Sequence, residues 1–349
     1  MSSRFHTPQW SRTRTLGVAA FAAGAAASVL AARLAGRHRL DLRGTVALVT
    51  GGSRGLGLQL ARELGRRGAR VVICARDPET LERARFDLEH RGVPVLALEC
   101  DVTDHARAVA TVQAVHDRWG RLDVLVNNAG IIQVGPVESM TVDDFEQAMR
   151  VNFWGPLYTT LAALPLMRAH GGGRIVNIVS IGGKVSVPHL TPYSASKFAL
   201  GGLSEGLRAE LAKDGIRVTT VYPGLLRTGS PRHALFKGRH RAEFAWFSIS
   251  DALPLLTMGV ERAARRIVTA AERGEACVIL TLPARLAARA PALLPAATAA
   301  VLALVNRFLP PADRASAGTR LGRESESAWS PSLLTALGER AVRSQNQRA

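Results

Sequence analysis

The sequence predicts an α/β fold: a doubly wound, parallel seven-stranded sheet with helices on both faces, extended by apolar helices at both ends. Three observations predict it. Seven short, β-branched apolar runs recur between Leu42 and Pro283. Longer stretches of helical period separate them. A glycine-rich turn follows the first run directly and opens a helix.

The runs are "TVALVT" from Thr45, "RVVICA" from Arg70, "VPVLALEC" from Val93, "LDVLVN" from Leu122, "RIVNIVS" from Arg174, "IRVTTVY" from Ile216 and "ACVILTL" from Ala276. Most are continuously apolar rather than alternating, as strands buried on both faces should be. Between them, "TDHARAVATVQAVHDRWG" opens on Thr103 as a candidate N-cap and stops at Gly120. "TVDDFEQAM" sets Thr141 and Asp144 at capping-box spacing. A doubly wound sheet binds its ligand beyond the carboxyl ends of its strands, so functional residues are sought there.

The chain has 349 residues, and 47% of them are hydrophobic, ample for a core. It divides into a basic segment (1–15), an apolar helix (16–36), the sheet domain (42–283), an apolar or amphipathic helical extension (284–311) and a mobile tail (312–349). The balance of 45 Lys+Arg against 28 Asp+Glu gives a net charge of +17. This charge is uneven: residues 1–40 hold no acid but carry Arg4, Arg12, Arg14, Arg33, Arg37 and Arg39. Aromatics make up only 5%, and no nucleic-acid-binding motif accompanies the charge, which argues against a nucleic-acid partner. Cys74, Cys100 and Cys277 are far apart and odd in number, which suits free thiols in a reducing compartment and no metal site.

The run "LGVAAFAAGAAASVLAA", Leu16 to Ala32, carries no charge. It is at the lower limit for crossing a hydrocarbon core of roughly 30 Å. A membrane anchor, a cleaved targeting segment and a helix packed on the protein all fit it. Arginines on both sides give only a weak orientation. The second apolar stretch, Ala290 to Phe308, is interrupted by Pro291 and Pro295. It suits an interfacial helix or a helix closing the substrate side. The expectation is a membrane-associated protein with its sheet domain in the cytoplasm, a soluble cytoplasmic protein being the alternative.

The turn "TGGSRGLG", Thr50 to Gly57, joins a strand to a helix. In that setting Gly51, Gly55 and Gly57 provide a tight turn, close backbone approach and close helix packing, and the free N–H groups at the helix start face a diphosphate. Ser53, Arg54 and Leu56 complete the candidate contact set. At the end of the second strand, where an NAD site places an acid, the chain reads "ICARD", with Ala75 and then Arg76. Asp77 comes two residues too late. Arg54 and Arg76 suit a 2′-phosphate, which a carboxylate would repel, so NADP(H) is favoured over NAD(H).

In "TPYSASKFAL", Tyr193 and Lys197 are one helical turn apart and share a face. Together with "TGGSRGLG", "CDVTD" at 100, "NNAG" at 127, "VNFWG" at 151, "NIVSIGG" at 177 and "YPGLLRT" at 222, the chain over residues 44–283 resembles the short-chain dehydrogenase/reductase family. The resemblance implies a Rossmann-type sheet and a catalytic tetrad of Asn152, Ser180, Tyr193 and Lys197. It also implies that Asp101 and Val102 contact the adenine end of the coenzyme. Asn128, Ala129 and Gly130 would line its side of the sheet, and Pro223, Gly224 and Thr228 would frame the nicotinamide.

The chemistry suits those residue types. Reduction of a carbonyl needs a hydride on carbon and a proton on oxygen. A phenol, with an unperturbed pKa of about 10, is a poor proton donor-acceptor near neutrality unless a neighbouring ammonium favours its phenolate. Ser180 would polarise the same oxygen. By family analogy, Asn152 would hold a water linking Lys197 to solvent, and Tyr193 and Lys197 would also contact the coenzyme, Lys197 gripping the nicotinamide ribose.

Between Leu225 and Val260 lies the region where the family places its substrate lid, rich in Phe236, Phe244, Trp246 and Phe247 with Lys237, Arg239 and Arg241 among them. A lid over an apolar substrate and an aromatic surface helix pair both fit. His233 and His240 read as solvated histidines. The expected function is an NADP(H)-dependent oxidoreductase interconverting a carbonyl and an alcohol on a lipophilic substrate. A coenzyme-binding scaffold without turnover and an NAD-dependent alcohol dehydrogenase of the same family are the alternatives, and an extended-fold epimerase or dehydratase fits less well. The family also suggests a homodimer or homotetramer through "SASKFALGGLSEGLRAEL".

Overall fold

The computed structural model describes residues 24, 39–252, 257–313, 318–327 and 345–347. The chain forms two compact units, Met1–Leu40 and Asp41–Ala349. Everything below concerns the second.

All seven apolar runs enter one sheet. Its strands are β1 (Val46–Thr50), β2 (Arg70–Ala75), β3 (Val95–Glu99), β4 (Val124–Asn127), β6 (Gly173–Ile178), β7 (Ile216–Tyr222) and β11 (Cys277–Ile279). They lie in the order β11-β7-β6-β4-β1-β2-β3, and every pairing is parallel. The order reverses between β1 and β4, where the chain leaves β3 and crosses to the other side. That reversal opens a crevice at the carboxyl ends of β1 and β4.

Central position explains composition. Every residue of β1, β4 and β6 is buried, so hydrophobic side chains suit both faces. Burying each Val or Leu there contributes about 1.5–3 kcal/mol. The edge strand β3 is only half-buried. At the opposite, amino end of the crevice, the Asp123 carboxylate accepts from the Val46 N–H at 2.8 Å and from Arg121 Nη2 at 2.6 Å. This joins the starts of β1 and β4. All three cysteines are free, Cys74 and Cys100 buried and Cys277 exposed.

The helices that carry the site are α1 (Gly55–Arg66), α2 (Pro78–His90), α3 (His105–Trp119), α4 (Val142–Met149), α5 (Gly155–Ala169) and α6 (Thr191–Glu210). The cap of α3 differs from the expectation: Asp104, not Thr103, accepts from the Arg107 N–H at 3.1 Å. Thr103 instead turns its hydroxyl to Asp101 Oδ1 at 2.8 Å. The helix ends at Gly120, whose φ of 71° is the left-handed conformation glycine tolerates. At the start of α4, Asp144 Oδ2 accepts from both the N–H and the hydroxyl of Thr141, at 2.7 and 3.0 Å.

The segment after β4 and the chain beyond β7 build a smaller layer: β5 (Gln133–Val134) from the first, and β8 (Leu225–Arg227), β9 (Leu235–Phe236), α7 (His240–Ala252) and β10 (Thr257–Gly259) from the second. Helix α8 (Val260–Arg273) then returns to the sheet, and α9 (Leu282–Leu293) and α10 (Pro295–Asn306) follow β11. The tail region contributes β12 (Arg320–Leu321), which pairs antiparallel with β9. Part of the segment expected to be mobile is therefore held in a three-stranded sheet, β12-β9-β5.

The expected membrane association is corrected. Among the described residues no helix is long and apolar enough to cross a membrane. The twelve residues of α9 and of α10 each span about 18 Å at a rise of 1.5 Å per residue, well short of a hydrocarbon core. The run Leu16–Ala32, apart from Gly24, lies outside the described residues.

Candidate active site

The site forms where β1, β4, β6 and β7 end. After β1, the turn takes positive φ at Gly51 (61°) and Gly55 (54°), conformations that disfavour a side chain. Packing restricts it further. A Cβ on Gly57 would lie 2.1 Å from the Gly51 carbonyl oxygen, and one on Gly51 would lie 2.9 Å from Ala129 Cα.

Thr50 and Asn128 tie this turn to the end of β4. The Thr50 hydroxyl accepts from the N–H groups of Asn128 and Ala129, at 3.0 and 3.1 Å. The Asn128 amide donates to the carbonyls of Thr50 and Gly51, at 3.0 and 3.1 Å. The role of Asn128 visible here is thus to shape the turn.

Asn152 sits in a π-helical turn, Arg150–Trp154, between α4 and α5, and is fully buried. Such turns recur at functional sites because the extra residue re-aims a side chain. Its Oδ1 accepts from the Ile131 N–H at 3.0 Å. Its Nδ2 donates to the Ile131 carbonyl at 3.1 Å and to Ser196 Oγ at 2.9 Å. Gly130 lies directly against this group: a Cβ there would come within 2.9 Å of Asn152 Oδ1 and 3.4 Å of Lys197 Nζ.

Ser180 lies two residues beyond β6 in extended backbone, and its hydroxyl accepts from the Gly182 N–H at 3.0 Å. Tyr193 and Lys197 come from the first turns of α6, with Pro192 in its opening turn. Lys197 Nζ donates to the Ile178 carbonyl at 3.0 Å. Burial lowers its pKa to about 7. Burial also raises the Tyr193 phenol, while a hydrogen bond with Ser180 pulls the other way. The lowering by lysine expected for the phenol is therefore opposed by its desolvation. The structure brings Asn152, Ser180, Tyr193, Lys197 and Gly130 together.

At the adenine end, Arg76 Nη1 lies 3.9 Å from Asp101 Oδ2, and the arginine is largely exposed. Asp77 caps α2, accepting from the N–H groups of Glu79 and Thr80 at 3.0 and 3.2 Å. That engagement turns it to its own helix. Burial, with Arg76 and Arg323 nearby, disfavours the charged form of Arg54, and Asp77 opposes the effect. Ser53 is buried beside Thr80, and Leu56 is half-buried in the first turn of α1. Val102 packs where a Cβ on Gly155 would meet it at 2.8 Å. Pro223 follows β7 and its carbonyl accepts from the Ile181 N–H at 2.7 Å. Gly224 packs against Thr281, and the buried Thr228 accepts from the Ser230 N–H at 3.1 Å.

The aromatics expected of a lid form a core of their own. Phe236, Phe244 and Phe247 are buried, with ring centroids 5.5 and 6.0 Å from Phe236. Trp246 and Tyr193 are partly buried against that cluster. Trp246 Nε1 donates to Glu243 Oε2 at 2.6 Å, and the other Glu243 oxygen bonds His189 Nδ1 at 2.8 Å. Sequence reading missed His189 and Glu243, because only the fold brings them together. The solvated reading of His233 and His240 also changes. Burial lowers His233 to about 4. His240 Nδ1 bonds Ser325 Oγ at 3.0 Å.

The model of the family described as short chain dehydrogenase matches residues 45–235. A protein of Anopheles gambiae named dehydrogenase/reductase SDR family protein 7-like is 42% identical over 204 residues. That match spans 57% of this chain and 64% of the relative, less than two thirds of its length. A gluconate 5-dehydrogenase from Burkholderia cenocepacia J2315, solved with NADP and tartrate, superposes with a TM-score of 0.62 at 31% identity, covering 72% of this chain and 99% of its own. A variant of actinorhodin polyketide ketoreductase, solved with NADPH, has a TM-score of 0.61 at 33% identity, covering 68% of this chain and 95% of its own.

Proposed function

The chain belongs to the short-chain dehydrogenase family and is an oxidoreductase of its type, and from that premise we propose that it interconverts a lipophilic carbonyl and its alcohol using NADP(H). The observation that carries the reading is the convergence of Asn152, Ser180, Tyr193 and Lys197 beside Gly130.

The residues at the crevice fit a dinucleotide. Gly51 and Gly55 hold backbone that other residues avoid, and the N–H groups at the start of α1 suit a diphosphate. Arg54 and Arg76 suit a 2′-phosphate, and Asp77, committed to its cap, does not compete for the ribose. The neighbours solved with NADP and NADPH support the same choice. Asp101, Val102, Ala129, Gly130, Pro223, Gly224 and Thr228 complete the proposed coenzyme contacts. The coenzyme, when bound, supplies or accepts the hydride.

The chain's own residues handle the oxygen. Tyr193 donates a proton to the carbonyl oxygen during reduction and accepts it during oxidation. Ser180, which flanks Gly182 together with the Tyr193 ring, holds the substrate oxygen beside the phenol. Lys197 stabilises the phenolate when it forms, and Asn152 fixes the backbone of Ile131 beside the lysine. The apolar rim of Ile132, Val187, Leu190 and Trp246 supports a lipophilic substrate. Phe198, 45% exposed on α6, supports a homo-oligomer face there.

The test is NADPH oxidation against aldehydes and ketones graded in chain length and ring count. A rate rising with lipophilicity is expected. Turnover confined to small polar substrates would refute the lipophilic reading, and coenzyme binding without any turnover would favour a scaffold.

A further inference from the structure

The C-terminal residues Gln345–Gln347 sit on the glycine turn, far from where the sequence places them. The Gly55 N–H, at the start of α1, donates to the Gln345 carbonyl at 3.0 Å. The Gln345 side chain accepts from Gln59 Nε2 on α1 at 2.7 Å and donates to Glu261 Oε1 on α8 at 3.1 Å. Asn346 takes a positive φ of 55°, which asparagine tolerates better than most residues. Its Nδ2 donates to the carbonyls of Ser53 and Thr80, at 2.8 and 2.9 Å, and its Oδ1 accepts from Arg83 Nε at 3.0 Å. The Gln347 amide nitrogen lies where a Cβ on Gly55 would come within 2.7 Å. Gln345 and Gln347 are 0% and 4% exposed.

Three residues therefore bridge α1, α2 and α8, and the side-chain oxygen and nitrogen of Asn346 are both engaged. The contact falls on the part of the turn that a phosphate needs. A single-acceptor geometry at 3.0 Å leaves the Gly55 N–H to one oxygen at a time. Close approach to the backbone at Gly55, which a diphosphate requires, is taken by the Gln347 amide.

We infer that Gln345–Gln347 is a built-in occupant of the diphosphate turn, which NADP(H) displaces in order to bind. The inference rests on the dinucleotide reading of that turn. Its consequence is quantitative: only the fraction of molecules with the segment undocked binds coenzyme, so the apparent Kd exceeds the intrinsic one by that fraction's inverse. The segment thus sets the coenzyme concentration at which the enzyme becomes active.

The experiment titrates NADPH into the full-length wild type and into Asn346→Ala and Asn346→Ala/Gln347→Ala chains, following nicotinamide fluorescence, with thermal midpoints as a folding control. Loss of three side-chain hydrogen bonds should lower the NADPH Kd by about fivefold or more. A synthetic peptide of residues 344–349 added to the double variant should raise the apparent Kd again, in proportion to its concentration. An unchanged Kd, or a weaker one because the segment closes over bound coenzyme, overturns the inference. Failure of every folded chain, wild type included, to bind NADPH overturns the dinucleotide reading instead.

Discussion

Lys197 Nζ lies 5.8 Å from the centre of the Tyr193 ring and points its hydrogen bond at the Ile178 carbonyl. The ammonium thus faces the phenol across the site while β6 holds it in place. On the proposed mechanism the hydroxyl of Tyr193 is the proton donor, and Ser180 alone does not replace it. Tyr193→Phe keeps the ring packed against the cluster of Leu190, Phe236 and Phe244 but removes the proton. The expected outcome is a loss of about 10²–10⁴ in kcat with NADPH affinity retained, measured by steady-state rates and coenzyme titration. Near-normal turnover would remove Tyr193 from the mechanism.

The buried lysine carries a pH signature. Its folded pKa is about 7, because burial penalises the ammonium. In the unfolded chain it titrates near ~10.4. Between these values the unfolded chain binds the extra proton, so stability rises with pH across the window and is lost as pH falls through about 7. Lys197→Met removes this term. Urea midpoints of wild type and variant, compared near neutrality and in mild alkali, should shift relative to one another: the wild type gains on the variant as pH rises. A constant difference between the two would mean that Lys197 stays charged throughout.

Coenzyme choice is expected to rest on Arg54 and Arg76. Arg76 is only loosely held, 3.9 Å from Asp101, and remains free to turn to a phosphate. Arg76→Glu replaces an attraction by a repulsion. The ratio of kcat/KM for NADPH to that for NADH should fall by about tenfold or more. An unchanged ratio would make Arg76 a surface charge.

The seven strands were legible because the central ones, β1, β4 and β6, are buried on both faces and carry unbroken apolar runs, and the more exposed edge strands β3 and β11 still keep short apolar runs. The residues proposed as the tetrad stand in spaced motifs, and the structure brings them together. What stayed hidden depends on contacts distant in sequence. Two-residue strands such as β9 and β12 have no pattern of their own and exist through pairing. "RVNFW" carries no mark that separates a π-helical turn from the helices around it. The cap of α3 went to Asp104 rather than Thr103, because two adjacent capping residues compete and Asp101 takes the threonine hydroxyl. The docking of Asn346 on Ser53 joins residues near opposite ends of the chain, and no local pattern announces it.

One such hidden feature supports the site from behind. Asn127 Nδ2 donates to Asn177 Oδ1 at 2.9 Å, Asn177 Nδ2 donates to Ser204 Oγ at 3.0 Å, and Ser204 shares a hydrogen bond of 2.7 Å with Thr220. This chain crosses β4, β6, α6 and β7, and all four residues are at most 2% exposed. It ties α6, the helix of Tyr193 and Lys197, to the strand that leads into Ser180. Asn177→Ala removes the link between the asparagine pair and the helix and opens a small polar void. A destabilisation of about 1–3 kcal/mol follows from leaving buried polar groups short of partners. Because α6 then loosens over β6, kcat should fall while the NADPH Kd holds, since the glycine turn lies on the far side of β4. Chemical denaturation and steady-state kinetics measure the two effects separately. A loss of stability with kcat intact would show that the network serves the core and not the alignment of Tyr193 with Ser180.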